Sequence, residues 1–343
     1  MTPTVAIIIP AYNAEATLPA CLEGIAGMSR AADEVIMFID GATDRTDEIA
    51  KAAGITIIRN DGAPRGPGFG RNAAAAAAKS QYLLFIDADV VISRDALALL
   101  LEDMQKHGAS AAFGSYDDAP RSRRVTSLYA NLRHHFVHQN SARDATTFWS
   151  GLGLIDRRLF VDLGGYDVEL YAHPSIEDVE LGTRVVAAGH RIRLVPEALS
   201  KHCKDWSLWR VWHTDVVRRA YPWSCLLVDG ATNGADLNVQ STERAKAAVA
   251  LLIAMFLVLG LVMPSLLLAA ATMALLYIVM NGKFFGFLGR TLSPWMVPGA
   301  VMMHWCYHIY SSATFVFVTV ITRLGLRKPH VARHQGLKVR SVA

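Results

Sequence analysis

Through residues 1–205, short apolar runs alternate with stretches of helical spacing. Val5–Ile9, Glu34–Asp40, Ile55–Arg59 and Tyr82–Asp87 have strand length and few polar breaks, and each predicts a short buried strand. Around them, Ala14–Met28, Asp44–Ala53, Gly70–Lys79 and Asp95–His107 carry apolar residues at helical intervals and predict helices. Val179–Gly189 predicts a further helix and Arg191–Val195 a further strand. Such alternation argues for an α/β domain with a mostly parallel sheet. Ligands of these sheets sit beyond the carboxyl ends of the strands, so the residues that follow strands are the first to examine for chemistry.

The pattern changes near residue 246. No charge falls in the 36 residues Ala247–Gly282 or in the 32 residues Thr291–Thr322. Both tracts exceed the roughly 20 apolar residues that cross about 30 Å of hydrocarbon, and they predict transmembrane helices over 246–322. At about 1.5 Å per residue the first tract is too long for one upright span and short for two, and Pro264 near its middle can end or kink a helix. Three spans, with an interfacial segment at Lys283–Pro294, would carry the basic tail 323–343 across the bilayer; two spans keep it cytosolic, as positive charge prefers. Upstream, within 206–245, Trp206, Trp209, Trp212, His213, Val216 and Val217 lie near one helical face among Arg210, Arg218 and Arg219. That mixture predicts an amphipathic helix at the headgroup level. Met1 leads into Val5–Ile9 without a basic region, so no signal peptide is expected. The chain thus reads as a multi-pass protein of the inner or plasma membrane with its N-terminal domain in the cytoplasm.

Composition agrees. Of 343 residues 52% are hydrophobic and 19% charged, below the roughly 25% charged of a soluble protein. The formal charge is +4, but Arg323 to Ala343 holds six Lys/Arg and no acid, and removing those six leaves residues 1–322 at −2. Nucleic-acid binding by the body is therefore not expected. Arg121 to Arg143 holds five arginines, three histidines and no acid; it reads equally as the lining of an acceptor site near anionic lipid and as a solvated basic helix. Cys21, Cys203, Cys225 and Cys306 are far apart with no C-x-x-C pair, which excludes a zinc ribbon or disulfide framework and suits reduced thiols facing a cytosol. The first apolar tract has no charged residue, which argues against a transporter; His304 and His308, beside Tyr307 and Tyr310, suit an interfacial or headgroup contact.

Several strand ends carry polar residues. Asp40 closes the second strand in Asp40-Gly41-Ala42-Thr43-Asp44, where it reads either as a ligand for a base or ribose or as part of a turn and helix cap. Asp87-Ala88-Asp89 puts two carboxylates on one side of an extended chain, a pattern suited to a hard divalent cation bridging phosphate oxygens. Gly66–Asn72 precedes a helix, and Arg71 can pair with a phosphate. No P-loop or dinucleotide fingerprint is present; Pro10-Ala11-Tyr12-Asn13 follows the first strand instead. Glu177-Asp178 opens a helix whose N-terminus favours a carboxylate anion, and such a group can act as a base. His202 can supply nitrogen to a metal.

In this order the residues resemble the family 2 inverting glycosyltransferases of GT-A fold. The resemblance rests on Pro10-Ala11-Tyr12-Asn13, Asp40-Gly41-Ala42-Thr43-Asp44, Gly70-Arg71-Asn72, Asp87-Ala88-Asp89, Trp149-Ser150-Gly151-Leu152-Gly153, Gly164-Gly165-Tyr166-Asp167, Ile176-Glu177-Asp178 and Lys201-His202, and it covers about residues 1–205. It implies a catalytic domain over 1–205 that holds a nucleotide-diphosphate sugar, a UDP-sugar by family habit, through Pro10, Ala11, Tyr12, Asp40, Arg71, Asp87 and the loop at Gly151. It implies a divalent cation, Mn2+ or Mg2+, on Asp89 with Asp87 and His202, and catalysis at Glu177-Asp178 with Asp178 as base. The absence of Q-x-x-R-W argues for transfer of a single sugar over processive synthesis. With the membrane segments, the expected acceptor is a membrane lipid or lipid-linked intermediate of the cell envelope. Trp206, Trp209, Arg218 and Arg219 then mark the acceptor side, and a homo-oligomer is compatible. A catalytically silent membrane scaffold is the alternative class.

Overall fold

The computed structural model describes residues 3–230 and 241–328. They form two compact units, one of Met1–Ser122 and His138–Asp205, the other of Arg123–Val137 and Trp206–Ala343.

The first unit is built on one sheet. Strand β1 (Val5–Ala11) lies between β2 (Glu34–Asp40) and β4 (Tyr82–Ile86), parallel to both, and β3 (Thr56–Asn60) extends the parallel half beyond β2. The β1 run Val5–Ile9 is fully buried on both faces, which is why it reads as continuous rather than alternating apolar sequence. Its pleat divides the core: Val5, Ile7 and Ile9 pack with Leu18, Leu97 and Leu100 on one side, while Ala6 and Ile8 pack with Phe38, Phe85 and Leu181 on the other.

The remaining strands correct the expectation of a mostly parallel sheet. The full order is β3-β2-β1-β4-β8-β6-β9-β5, with β7 (Asp144–Ala145) on β9 (Ile192–His202). Strand β8 (Leu152–Asp156) runs antiparallel to both β4 and β6 (Ala111–Tyr116), and β5 (Val90–Ile92) and β7 run antiparallel to β9. Only β6 and β9 are parallel in this half. The sheet is mixed because β8 enters between β4 and β6 against their direction, a pairing that local apolar patterns do not encode. Where β6 passes β9 its register shifts at Gly114; a Cβ there would lie 2.2 Å from the Ala198 carbonyl oxygen.

Five helices complete this unit's sequence-predicted set. They are α1 (Leu18–Ala26), α2 (Thr46–Ala52), α3 (Pro67–Ala77), α4 (Ala96–His107) and, after α5 (Val125–Asn140) and α6 (Arg157–Asp162), α7 (Glu177–Ala187). Most of α5 belongs to the second unit.

The second unit is helical, and here the expected membrane spans are not supported. After α8 (Leu208–His213) comes a π-helical segment Thr214–Ala220, then α9 (Tyr221–Val228), α10 (Ser241–Gly260), α11 (Leu266–Met280), α12 (Gly282–Thr291) and α13 (Val297–Arg323). No single helix among the described residues is long and apolar enough to cross a membrane; only α11 and α12 together pass that test, and they are bent by 72°. The break at Leu261–Ser265 divides the first uncharged tract, leaving α11 with 15 residues, about 22 Å of helix against about 30 Å of hydrocarbon. Charged Glu243, Arg244 and Lys246 occupy the start of α10, and α13 carries histidines, tyrosines and serines along its length.

Inside this unit the polar groups pair with one another. Arg133 on α5 donates two hydrogen bonds to buried Asp215, at 3.0 and 2.9 Å, and Tyr310 donates a third at 2.7 Å. His304 and His308, expected at a lipid headgroup, are instead buried, with rings bonded to Tyr129 and Asn281 and to Tyr277 and Glu243 respectively. The Trp209 and Trp212 rings lie 4.9 Å apart, tilted by 30°, and Trp209 is 66% exposed. The Trp206 backbone N–H donates to Ser127. Within the π-helical segment Val216 is half-buried and Val217 is exposed. Arg219 is turned back onto Asp215 at 3.3 Å, while Arg218 is half-buried. The basic tail beyond Lys328 lies outside the described residues.

Candidate active site

Between β1 and β4 the chain reverses its direction of travel across the sheet, so the carboxyl ends of these two strands flank a crevice of the kind that binds ligands. Pro10-Ala11-Tyr12-Asn13 leaves β1 there. Asn13 has φ 47°, a left-handed backbone that asparagine tolerates, and its Oδ1 accepts from the Thr43 N–H at 2.8 Å. Ala14 N–H donates to Thr46 and Glu15 N–H to Asp44. The β1 loop and the Asp40–Asp44 loop are thereby one ordered edge, with Tyr12 exposed.

Asp40 is buried and organises the next loop. Its carboxylate accepts from Asn60 Nδ2 and from the backbone N–H groups of Arg65 and Gly66, all at 2.8–3.0 Å. Asp40 thus ties the end of β2 to the Asn60–Gly66 loop, while the N-cap residue of α2 makes no side-chain cap. That loop delivers α3, whose Arg71 was expected to meet a phosphate. Arg71 is instead 3% exposed and lies between two carboxylates: its NH2 group donates to Asp87 Oδ1 at 2.6 Å and its NH1 group to Glu177 Oε1 at 3.0 Å. Its Nε has no acceptor among the described residues.

The end of β4 carries Asp87 and Asp89. Asp89 Oδ2 lies 3.8 Å from His202 Nε2 and 3.7 Å from Lys204 Nζ. The Asp89–His202 separation is too long for a hydrogen bond and is that of an ion pair when His202 is protonated. Oxygen with imidazole nitrogen is a donor set that divalent first-row metals accept. The expected trio of Asp87, Asp89 and His202 is not assembled: among the described residues no three acidic, His or Cys side chains converge, because Asp87 is held by Arg71. A cation held by the pair would take its other ligands from phosphate and water. The His202 ring stacks on Tyr116 at 4.5 Å, and Tyr116 meets Trp149 edge-on at 4.8 Å.

Trp149 leads to the second carboxylate centre. Ser150 donates its N–H and its hydroxyl to Asp178 Oδ2, at 3.0 and 3.2 Å, and Val179 N–H donates to Asp178 Oδ1 at 2.9 Å. Ser150 stood in the Trp149–Gly153 motif without a role of its own, and this contact with Asp178, 28 residues away, gives it one. Burial, with the adjacent Glu177 charge, pushes the Asp178 carboxyl up to about 6 against the opposing N–H donors and Arg71. The helix N-terminus was expected to keep it a ready anion; dehydration outweighs it. Glu177 is committed elsewhere, accepting from Arg71 and from Ser175 N–H. Gly151, expected in a sugar-binding loop, is buried, and a Cβ there would lie 2.4 Å from the Trp149 ring.

Residues 6–164 match the model of glycosyl transferase family 2. Over that stretch, a little under half of the chain, the protein is similar to that family. Over 235 residues the chain is 25% identical to the probable glycosyltransferase YdaM of Bacillus subtilis (strain 168), covering 64% of this chain and 54% of the relative. Over 207 residues it is 24% identical to the poly-beta-1,6-N-acetyl-D-glucosamine synthase of Staphylococcus aureus (strain COL), covering 57% and 48%. The chain thus spans about half the length of these curated relatives. Among solved structures, the mannosyltransferase PcManGT of Pyrobaculum calidifontis, in complex with GDP-Man and Mn2+, shares the fold with TM-score 0.52 at 16% identity, over 96% of this chain and 89% of that one. S. aureus TarS 1-349 in complex with UDP-GlcNAc gives TM-score 0.51 at 15% identity, over 94% and 92%. The match and the curated relatives support an enzyme of the glycosyltransferase class.

Proposed function

We propose that this enzyme transfers one sugar from a nucleotide-diphosphate sugar, a UDP-sugar in the favoured case, to a hydroxyl of a membrane lipid or lipid-linked acceptor, with inversion at the anomeric carbon. The observation that carries this reading is Asp178: a half-buried carboxylate, fixed by three donors from Ser150 and Val179, in the same unit as the Asp89–His202 pair. As the acceptor oxygen bonds to the anomeric carbon, Asp178 takes its proton and the bond to the nucleoside diphosphate breaks. Lowered basicity would make it a poor base; a carboxyl near 6 is better matched to neutral pH. A divalent cation, when bound, neutralises charge on the departing diphosphate, and Asp89 and His202 are the residues that would hold it. Solved relatives of the same fold with GDP-Man and Mn2+ or with UDP-GlcNAc support a nucleotide-sugar donor.

A lipid acceptor is supported by the helical unit. Leu261 and Val262, in the turn between α10 and α11, are 84% and 85% exposed, and neighbouring Val258, Met263 and Leu268 are exposed too. Contiguous apolar surface of this kind marks a protein or membrane contact. The paired Trp209 and Trp212 rings beside basic residues suit headgroups.

A thermal-shift screen of the detergent-purified chain against nucleotide sugars with Mn2+ tests the donor. A binder at 100 times its Kd stabilises by about 2.7 kcal/mol, and stabilisation by one sugar nucleotide is expected. No shift with any of them removes the reading. A processive synthase is a second reading, favoured by the poly-beta-1,6-N-acetyl-D-glucosamine synthase relative; product length separates the two, one sugar per acceptor being expected.

A further inference from the structure

Arg71 is buried among groups that the proposed reaction does not assign to substrate. Its guanidinium joins Asp87, at the end of β4, to Glu177, the first residue of α7 and 106 positions away in sequence. The Tyr166 ring lies 5.5 Å from it. Glu177 is next to Asp178, so a carboxylate that Arg71 neutralises is the nearest acidic neighbour of the proposed base.

We propose that Arg71 is a positioning residue for Asp178: by bonding Glu177 and Asp87 together it fixes the first turn of α7 against the end of β4 and offsets the Glu177 charge, so that Asp178 can ionise beside it. This rests on Asp178 being the base. The geometry gives Arg71 both parts of the role. Two separate N–H groups reach two carboxylates at 2.6 and 3.0 Å, a fork that fixes direction as well as distance. Around Asp178 the other groups are the Ser150 N–H and hydroxyl, the Val179 N–H, the Glu177 carboxylate and the buried Tyr166 phenol. Arg71 is the cation among these neighbours. Without it, the Glu177 charge would oppose ionisation of the adjacent Asp178 with no cation to offset it.

The test follows the ionisation of Asp178 directly, in the purified full chain labelled with 13C at aspartate carboxyls, its signal assigned by loss in Asp178→Asn. Removing an opposite charge within about 4–6 Å raises a carboxylate by roughly 1–3 pH units, so Arg71→Met should move the Asp178 midpoint up by about one unit or more. Glu177→Gln should move it down, and Arg71→Met with Glu177→Gln should bring it back toward the native value. Arg71→Lys should restore part of the effect. If Arg71→Met leaves the midpoint unmoved while weakening binding of UDP-sugar or Mn2+, Arg71 is a donor ligand and the proposal is overturned. If Arg71→Met does not fold, Glu177→Gln decides, an unmoved midpoint overturning the proposal. Midpoints that move as expected in a chain that turns over no nucleotide sugar would uphold the electrostatic link and overturn only the catalytic reading of Asp178.

Discussion

At the scale of single residues, the site turns on how dehydration and hydrogen bonding divide the carboxylates between tasks. Glu177 and Asp178 are adjacent, yet one is spent on Arg71 and Ser175 and the other is held by Ser150 with its carboxyl near 6. For the reaction, Asp178→Asn keeps shape and removes the proton acceptor, so transfer to a hydroxyl should fall by roughly 10²–10⁴ while donor binding persists; a phosphate acceptor, already an anion, would show little loss. The pH dependence has a definite sign. With Asp178 as the proposed base, kcat/KM should rise with pH through about 6 and the acid limb should vanish in Asp178→Asn. Stability runs the other way: a carboxyl raised in the folded state favours folding when protonated. That contribution is present below the unfolded value near 4 and is lost as pH climbs through about 6. Asp178→Asn should therefore gain in Tm relative to the native chain on going from pH 4 to pH 8. At the metal pair, Asp89→Asn should abolish the Mn2+ dependence of nucleotide binding, read by calorimetry with and without the metal; full Mn2+-dependent binding in the variant would exclude Asp89 as a ligand.

At the scale of elements, what places Asp178 is the fit of α7 against the segment before β8. Gly182, on the second turn of α7, lies so close to that segment that a Cβ would be 2.3 Å from Phe148 N and 2.6 Å from the Thr147 carbonyl carbon. Both are backbone atoms that cannot swing aside, and Ser150 follows three residues after Thr147. Gly182→Ala must push helix and segment apart. Overpacking of this kind costs about 1–3 kcal/mol, measurable by denaturant titration, and it should lower transfer further by moving Ser150 from Asp178. A stable, fully active Gly182→Ala would show that this contact does not position the base. The strands and helices of the parallel half were legible within a few residues because each is a local apolar run or a helical period. β8 was not, since Leu152-Gly153-Leu154 is short and its antiparallel place between β4 and β6 depends on partners about 70 and 40 residues away in sequence.

At the scale of the whole molecule, the exposed turn between α10 and α11 offers a test of membrane contact that leaves the fold alone. Leu261 and Val262 pack against little, so Leu261→Glu with Val262→Glu should leave Tm near native. The same pair should weaken co-sedimentation with liposomes containing anionic lipid, because each buried apolar side chain contributes about 1.5–3 kcal/mol. Unchanged sedimentation would remove this turn from the membrane contact. The uncharged tracts were plain in the sequence, and so was the family resemblance, since the residues that carry it follow strands in a fixed order. What the sequence by itself determined were the properties that neighbours along the chain set: the apolar runs, the helical periods, the polar strand ends and the basic tail. What only the tertiary structure decided was which polar groups meet. Arg71 found Glu177 rather than a free edge, Asp178 found Ser150, and His304 and His308 found partners inside the helical unit. The reason is physical: a side chain's charge state and its partner depend on the water removed and the groups brought close by segments tens to more than a hundred residues away, and no local pattern records either.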